Sequence, residues 1–160
     1  MKAVYPGSFD PVTYGHLDII KRISKKVNHL VVAVLNNPSK KSTFSLEEKI
    51  ELLKETTKDL GNVEIDSFQG LLTDYTKKKG CTTVIKGLRA VSDFEYEMQM
   101  ALVNKKMNDE IETLFMAAST KYSFLSSSIV KEIAALGGDI SCFVPLVVET
   151  ALKNKYKRGE

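Results

Sequence analysis

Segments with strand character alternate with segments of helical spacing along this chain of 160 residues. The strand-like apolar runs lie at residues 3–5, 29–35, 63–68, 82–85 and 111–116. Such alternation predicts a parallel sheet with helices on both faces. We therefore expect an α/β, Rossmann-like, doubly wound fold with a five-stranded parallel sheet in the order 3-2-1-4-5, followed by C-terminal helices.

The sequence carries clear helix boundary signals. Gly15 or His16 is predicted to begin the first helix, and Ser45 with Glu48 has the spacing of a capping box at the start of the second. Gly80 suits the left-handed position that follows a helix.

Later helices follow from the same signals. A third helix is predicted over about 71–79 and a fourth over 93–105. Hydroxyl residues at 126–128 place a helix start before an apolar stripe that ends at Gly137, and Pro145 suits the first position of a final helix.

The composition favours one compact domain covering residues 1–160. Charged residues make up 27% and apolar residues 43%, as in ordinary globular proteins. No apolar stretch reaches the roughly 18 residues of a membrane helix, and no signal peptide is recognisable at Met1. We expect a cytoplasmic protein without a membrane partner.

Cysteine and charge patterns point away from redox chemistry and nucleic acid. Cys81 and Cys142 have no CxxC or Cys/His spacing, so we interpret both as reduced structural thiols. The net charge of +3 comes partly from a basic tail, for which a solvated helix end is favoured over a nucleic-acid arm. The tail residues are Lys153, Lys155, Lys157 and Arg158.

The residues that packing explains least lie in loops after predicted strands. These loops span 6–16, 36–41, 86–93 and 119–128. In doubly wound sheets the carboxyl ends of the strands bind ligands, and the expected order makes the first and third loops neighbours. We predict a cleft between them.

The first loop is suited to a phosphate. Its prolines and glycines fix a tight path, Gly15 allows close backbone approach, and His16 lies at a helix N-terminus. A Gly-His pair by itself is more typical of a turn before a helix than of a phosphate site. The chain has no GxGxxG, GxxxxGK[ST], HExxH or GxSxG motif, and its two histidines do not predict a metal cluster.

Three segments carry a resemblance to a known family. Residues 5–16, YPGSFDPVTYGH, resemble the signature of the nucleotidyltransferase superfamily whose motif is written (H/T)xGH. Residues 86–97, KGLRAVSDFEYE, are similar to the strongest signature of the phosphopantetheine adenylyltransferase family. Residues 122–128, YSFLSSS, resemble its second nucleotide-binding motif. The resemblance covers essentially the whole chain.

The resemblance implies a reaction and an assembly. The expected activity is adenylyl transfer from ATP to 4'-phosphopantetheine by direct in-line attack without a covalent intermediate, which yields dephospho-coenzyme A and pyrophosphate. This is the penultimate step of coenzyme A biosynthesis. Mg²⁺ carried mainly by ATP, a homohexamer built as a dimer of trimers, and feedback inhibition by coenzyme A are implied as well.

The resemblance also implies site residues. His16, Lys40 and Ser128 would be catalytic. The ATP-binding residues would be Ser8, Phe9, His16, Gly87, Leu88, Arg89, Glu97, Tyr122, Ser123, Phe124, Leu125, Ser126, Ser127 and Ser128. The residues binding 4'-phosphopantetheine would be Ser8, Lys40, Leu72 and Lys86.

Simpler structural roles compete for several of these positions. Lys40 would also suit a solvated loop, Leu72 a buried helix face, and Glu97 a surface charge paired within its helix. For Phe94 and Tyr96 we favour core packing.

One position departs from the family pattern. Lys86 stands where the family usually carries Arg to bind the acceptor phosphate. Lysine keeps the charge without the planar fork, which bears on acceptor affinity rather than on the reaction type.

Other functions remain open at this point. The nearest is a sister nucleotidyltransferase acting on nicotinamide mononucleotide or on a sugar or glycerol phosphate. A non-catalytic adenine-nucleotide sensor and a nucleic-acid-binding module on the same fold belong to other classes. His16, Lys40, Arg89 and Ser128 argue against the sensor, and the lack of a long basic stripe argues against the module.

Overall fold

A computed structural model describes residues 1–89 and 91–157 of the chain. Arg158, counted above in the basic tail, and Ala90, within the second signature, lie outside the described residues. The elements in chain order are β1 (Lys2–Gly7), α1 (Tyr14–Ser24), β2 (His29–Leu35), α2 (Leu46–Thr57), β3 (Val63–Phe68), α3 (Leu72–Lys78), β4 (Thr83–Leu88), α4 (Val91–Met107), β5 (Glu112–Ala117), a 3-10 turn (Thr120–Tyr122), α5 (Ser127–Ala135) and α6 (Leu146–Lys157).

The sheet has five parallel strands in the order β3-β2-β1-β4-β5, which confirms the predicted fold class and order. β1 pairs with β2 along its full length, from Lys2 to Gly7. Among the described residues β1 pairs with β4 only at Ala3 and Val4, although β4 continues to Leu88. The two central strands therefore separate toward their carboxyl ends.

The helix caps follow the sequence closely. Thr13 caps α1 together with His16, so the helix begins at Tyr14, slightly before the predicted start. Ser45 and Glu48 form the predicted capping box of α2. Gly80 adopts a φ of 60° after α3, which confirms the left-handed stop.

Some boundaries differ from the prediction. β4 includes Lys86 and Gly87, which were expected in a loop, because its pairing with β5 continues through Leu88. α4 begins at Val91 rather than 93. Pro145 precedes α6 as its N-cap rather than its first residue, since its carbonyl accepts the first helical hydrogen bonds.

The sheet separates two apolar clusters. The larger contains Tyr5, Val32 and Ile85, and it packs against α1, α2, α5 and α6. The smaller lies on the other face and includes the free thiol Cys81. Cys142 is also free, as expected for a reduced thiol, but its side chain is exposed, so it has no structural role in the core.

The aromatic residues Phe94 and Tyr96 of α4 are 43% and 62% exposed, so the expectation that they pack in the core is wrong. The Phe94 ring lies 6.3 Å from that of Phe115 in the edge strand β5. Neighbouring elements therefore cover both side chains incompletely. No helix in the described parts of the chain combines the length and apolarity needed to cross a membrane.

Candidate active site

A cleft of about 730 Å³ opens where β1 and β4 separate. We call it the β1–β4 cleft. All four predicted loops contribute to its walls, together with the carboxyl ends of the two strands. Its place at the reversal of strand order is the usual ligand position in a doubly wound sheet.

Most of the predicted site residues line this cleft. They are Ser8, Phe9, His16, Lys40, Leu72, Lys86, Gly87, Arg89, Glu97, Tyr122, Leu125, Ser126, Ser127 and Ser128. Leu88, Ser123 and Phe124 are not among the lining residues. Ser123 donates its hydroxyl to the Thr120 carbonyl within its own turn, whereas Phe124 packs edge-on against Phe143 in the segment before α6.

His16 occupies the third position of α1 and opens onto the cleft. Its Nδ1 accepts a hydrogen bond of 3.1 Å from the Thr13 backbone N–H, so we assign the ring proton to Nε2. Burial, assisted by the positive charge of Arg89, lowers the pKa of His16 to about 4. The ring is therefore neutral near pH 7 and free to donate from Nε2.

Phe9 packs against the imidazole of His16. Its ring is 2% exposed and lies edge-on to His16 at a centroid distance of 5.0 Å. The backbone of Phe9 has a φ of 47°, an uncommon conformation for a non-glycine residue. Gly7 makes room for it, since a Cβ there would lie 3.0 Å from the Phe9 ring.

Two helix N-termini face the cleft without acidic residues in their first turns. α1 and α5 have no Asp or Glu there, whereas α2 has Glu47 and Glu48. Acidic side chains compensate the positive end of a helix dipole. The N-termini of α1 and α5 are therefore left to attract an anion from the cleft.

The three serines at the start of α5 make different contacts. Ser126 caps the helix by accepting from the Ile129 N–H. Ser127 donates its hydroxyl to the Pro11 carbonyl at 2.7 Å and so joins α5 to the first loop. Ser128 is exposed at the second helical position, and its hydroxyl is available to the cleft.

Basic side chains surround the same space. Arg89 donates from Nε to Asp93 at 3.0 Å and from one terminal nitrogen to the Leu125 carbonyl at 2.9 Å. These bonds orient the guanidinium and leave other N–H groups for a ligand. Lys40 is exposed in the loop between β2 and α2 and also lines the cleft.

Lys86 and Glu97 form an ion pair across the cleft wall at 3.3 Å. Glu97 therefore pairs with β4 rather than within its own helix. Its Oε2 is buried and makes no hydrogen bond to the described residues despite the nearby ammonium. Lys86 is thus attracted both to this carboxylate and to any anion in the cleft.

The comparisons with known proteins agree with this geometry. A family model described as cytidylyltransferase-like matches residues 4–133. The chain belongs to the cytidylyltransferase-like family of nucleotidyltransferases. A phosphopantetheine adenylyltransferase from Caldanaerobacter subterraneus subsp. tengcongensis is 61% identical over 157 residues, 98% of either chain. The resemblance found in the sequence is confirmed.

Solved structures share the nucleotidyltransferase fold at low identity. A candidate nicotinate-nucleotide adenylyltransferase from Vibrio parahaemolyticus superimposes with a TM-score of 0.67 at 16% identity, over 94% of this chain and 97% of that one. The Plasmodium falciparum nicotinic acid mononucleotide adenylyltransferase complexed with NaAD gives a TM-score of 0.68 at 14% identity, over 97% and 95%.

Sequence reasoning missed several residues of this nucleotidyltransferase cleft. Met100 and Asn104 line it from α4, where they share a helical stripe with Glu97. That spacing could have identified them. Asp10 and Lys131 also line the cleft, and only the structure brings them together, at 3.0 Å.

Proposed function

We propose that the protein transfers the adenylyl group of ATP to the phosphate of 4'-phosphopantetheine, releasing pyrophosphate and forming dephospho-coenzyme A, the penultimate step of coenzyme A biosynthesis. The observation that carries the proposal is a neutral imidazole placed among two uncompensated helix N-termini and the basic side chains of Lys40, Lys86 and Arg89. The 61% identity to a phosphopantetheine adenylyltransferase supports this choice of acceptor.

The proposed chemistry is one in-line displacement. An oxygen of the acceptor phosphate forms a bond to the α-phosphorus of ATP, and the bond from that phosphorus to the oxygen bridging to the β-phosphate breaks. A phosphate monoester is already anionic, so the nucleophile loses no proton and needs no general base. Catalysis then depends on positioning and on stabilising charge.

His16 is proposed to donate Nε2–H to the α-phosphate. Charge on the nonbridging oxygens is redistributed in the transition state, and a fixed neutral donor stabilises it without transferring a proton. Since the lowered pKa keeps the ring neutral, Nδ1 remains an acceptor and the Thr13 N–H holds the donor in place.

The remaining groups divide between the two ends of the reaction. We assign Arg89, Ser128 and the N-terminus of α5 to the β- and γ-phosphates. Lys86 and Lys40 are assigned to the acceptor phosphate, with Ser8 from the first loop. Glu97 competes with that phosphate for Lys86, because the ion pair at 3.3 Å must be shared when the acceptor binds.

Mg²⁺ is proposed to enter with ATP, bound to its phosphates and water. The acidic residues lining the cleft are Asp10, Asp93 and Glu97, and each is paired with a basic side chain. This donor set does not fit a protein cage for Mg²⁺, which prefers near-octahedral oxygen ligands. When bound, the ion supplies charge neutralisation of the triphosphate.

Assembly, regulation and location are proposed from the same family. Leu102, Val103 and Met107 of α4 and Leu114 of β5 are exposed, which suits burial in a homohexamer built as a dimer of trimers. Mass measurement in solution tests this. Inhibition by coenzyme A at the acceptor site and a cytoplasmic location complete the proposal, and titrating coenzyme A into the turnover assay tests the former.

The deciding experiment supplies ATP and Mg²⁺ with a panel of acceptors. We expect stoichiometric pyrophosphate and dephospho-coenzyme A with 4'-phosphopantetheine, detected by chromatography and mass spectrometry. Pantetheine lacking the phosphate, and reactions without Mg²⁺, should give no product. Faster turnover with nicotinate or nicotinamide mononucleotide, or ATP binding without turnover of any acceptor, would reject the proposed function.

A further inference from the structure

The buried carboxylate of Asp10 is an unusual group for this cleft. It is 7% exposed and lines the space where two helix N-termini and several basic residues favour anions. An uncompensated carboxylate there would repel a triphosphate and would be costly to bury. The structure compensates it completely, and the compensating groups come from two distant segments.

The first segment is the loop that carries Lys40. Asp10 Oδ1 accepts from the Phe44 N–H at 2.9 Å, and Oδ2 accepts from the Thr43 N–H at 3.0 Å. These residues end the loop immediately before the cap of α2. Phe44 itself is buried, whereas Lys40 and its neighbours are exposed. The carboxylate thus holds the base of the loop while its tip remains free.

The second segment is α5. Lys131 Nζ donates to Asp10 Oδ2 at 3.0 Å, and Lys131 lies one helical turn after Ser127 and Ser128. Burial alone would raise the pKa of Asp10, but the two backbone N–H groups and Lys131 lower it overall. The carboxylate therefore stays ionised and keeps all three bonds near pH 7.

We propose that Asp10 is a positioning residue that fixes the Lys40 loop in register with His16 and with the N-terminus of α5. The inference rests on the proposed function, because it concerns the placement of Lys40 for adenylyl transfer. Asp10 acts through Lys40 and does not contact the reacting atoms. Fixing a loop by its base places a long side chain within reach of a phosphate at a small entropic cost.

A double-mutant cycle with Lys40 tests the coupling. Asp10→Asn keeps the size of the side chain but weakens its bonds to the two N–H groups and to Lys131. We expect kcat to fall at least tenfold in the otherwise native protein, and by less than about twofold in a Lys40→Ala background. Independent, multiplying losses in the two variants would overturn the proposal.

A matched control is Asp66→Asn, which removes another lysine-paired carboxylate outside the cleft. We expect its kcat to stay within twofold of the native value. If Asp10→Asn does not fold, Lys131→Met enters the same cycle and should also lose its effect in the Lys40→Ala background, while Lys131→Arg restores turnover. An unchanged kcat for Lys131→Met would then contradict the inference.

A second measurement is independent of turnover. Hydrogen exchange of peptides covering residues 36–45 should quicken at least tenfold in Asp10→Asn, because the Thr43 and Phe44 N–H groups face one neutral acceptor oxygen instead of the two oxygens of a carboxylate. Unchanged exchange would reject the anchor even if activity fell. If the native protein shows no adenylyl transfer, the proposed function is rejected. Faster exchange in Asp10→Asn would in that case still support the role of Asp10 in holding the base of the loop.

Discussion

Two charged regions of this molecule are built in opposite ways. The β3–α3 cluster consists of His29, Glu64, Asp66, Tyr75 and Lys79, and its groups satisfy one another. Lys79 lies between Glu64 at 2.7 Å and Asp66 at 2.6 Å, while His29 and Tyr75 bond to the same carboxylates. Charge in this cluster is used to join secondary structure elements.

The β1–β4 cleft has an excess of basic groups instead. Of the residues that the structure describes, five basic and three acidic ones line it, and His16 is neutral. Within residues 1–89 and 91–157, each of these acidic residues has one basic partner, whereas the guanidinium of Arg89 retains free donors and α1 and α5 present uncompensated N-termini. The difference shows that ion pairs alone do not identify a site. Hydrogen-bond donors around a cavity that have no acceptor within the described residues do identify one.

The largest expected effect comes from removing the neutral imidazole donor of His16. His16→Ala should lower kcat about a hundredfold or more, since losing a preorganised donor to developing charge costs about 3 kcal/mol. Steady-state kinetics with thermal unfolding as the check on folding would measure this. His29→Ala, in the β3–α3 cluster, is the matched control and should leave kcat unchanged. Near-native turnover of folded His16→Ala would remove the proposed role of His16.

The two regions should also respond to acid in different pH ranges. The folded pKa of His16 is about 4 against an ordinary value of 6.5, so between these values the unfolded chain binds the extra proton. His16 therefore contributes stability above pH 6.5 that is lost as the pH falls toward 4, by about 3 kcal/mol.

The carboxylate of Glu64 in the β3–α3 cluster responds at lower pH than His16 does. Hydrogen bonds from Lys79 and His29 lower the pKa of Glu64 below its ordinary value of 4.5, so its contribution is lost only at more acidic pH. Urea unfolding at pH 7, 5.5, 4 and 3 measures both losses of unfolding free energy. In His16→Gln the unfolding free energy should depend less on pH between 6.5 and 4, and in Glu64→Gln it should depend less on pH below 4.5. Identical pH profiles for the two variants would contradict the assignment.

Lys79→Met tests the role of charge in the β3–α3 cluster. The change leaves Glu64 and Asp66 without their shared ammonium, and we expect a loss of about 1 kcal/mol in unfolding free energy because the pair is partly exposed. Turnover should stay within twofold of native. Lys58→Met, which breaks an exposed pair with Glu55, should have almost no effect on stability. A large fall in kcat for Lys79→Met would break the distinction between the regions.

Local patterns predicted most of the fold. The alternation of strands and helices, the capping box at Ser45 and the stop at Gly80 follow from short-range periodicity and backbone preference. The strand order followed from the usual topology of doubly wound sheets. The place of the cleft followed as well, because the order of parallel strands determines which loops meet. The individual residues there came from the resemblance of residues 5–16, 86–97 and 122–128 to the family signatures, since residue type alone also allows a purely structural role for His16 after a tight turn.

Tertiary partners were beyond the reach of the sequence. β4 extends through Lys86 and Gly87 because β5 pairs with them, which no local signal indicates. Ser127 and Ser128 look alike in sequence, and only the Pro11 carbonyl separates their roles. The exposure of Phe94 likewise depends on how little of α4 its neighbours cover.

The smallest expected effect concerns Lys86 in the β1–β4 cleft. Its surroundings resemble those of Lys79 in the β3–α3 cluster, because Glu97 already pairs with it. In Lys86→Arg the planar fork can donate to the buried Glu97 Oε2 and still present N–H groups to the acceptor phosphate. We expect 4'-phosphopantetheine to bind with unchanged or up to about threefold tighter affinity by calorimetry. Lys79→Arg, in the β3–α3 cluster, should leave this affinity unchanged. Markedly weaker binding to Lys86→Arg would mean that position 86 does not grip the phosphate and that its charge, like that of Lys79, serves only its carboxylate.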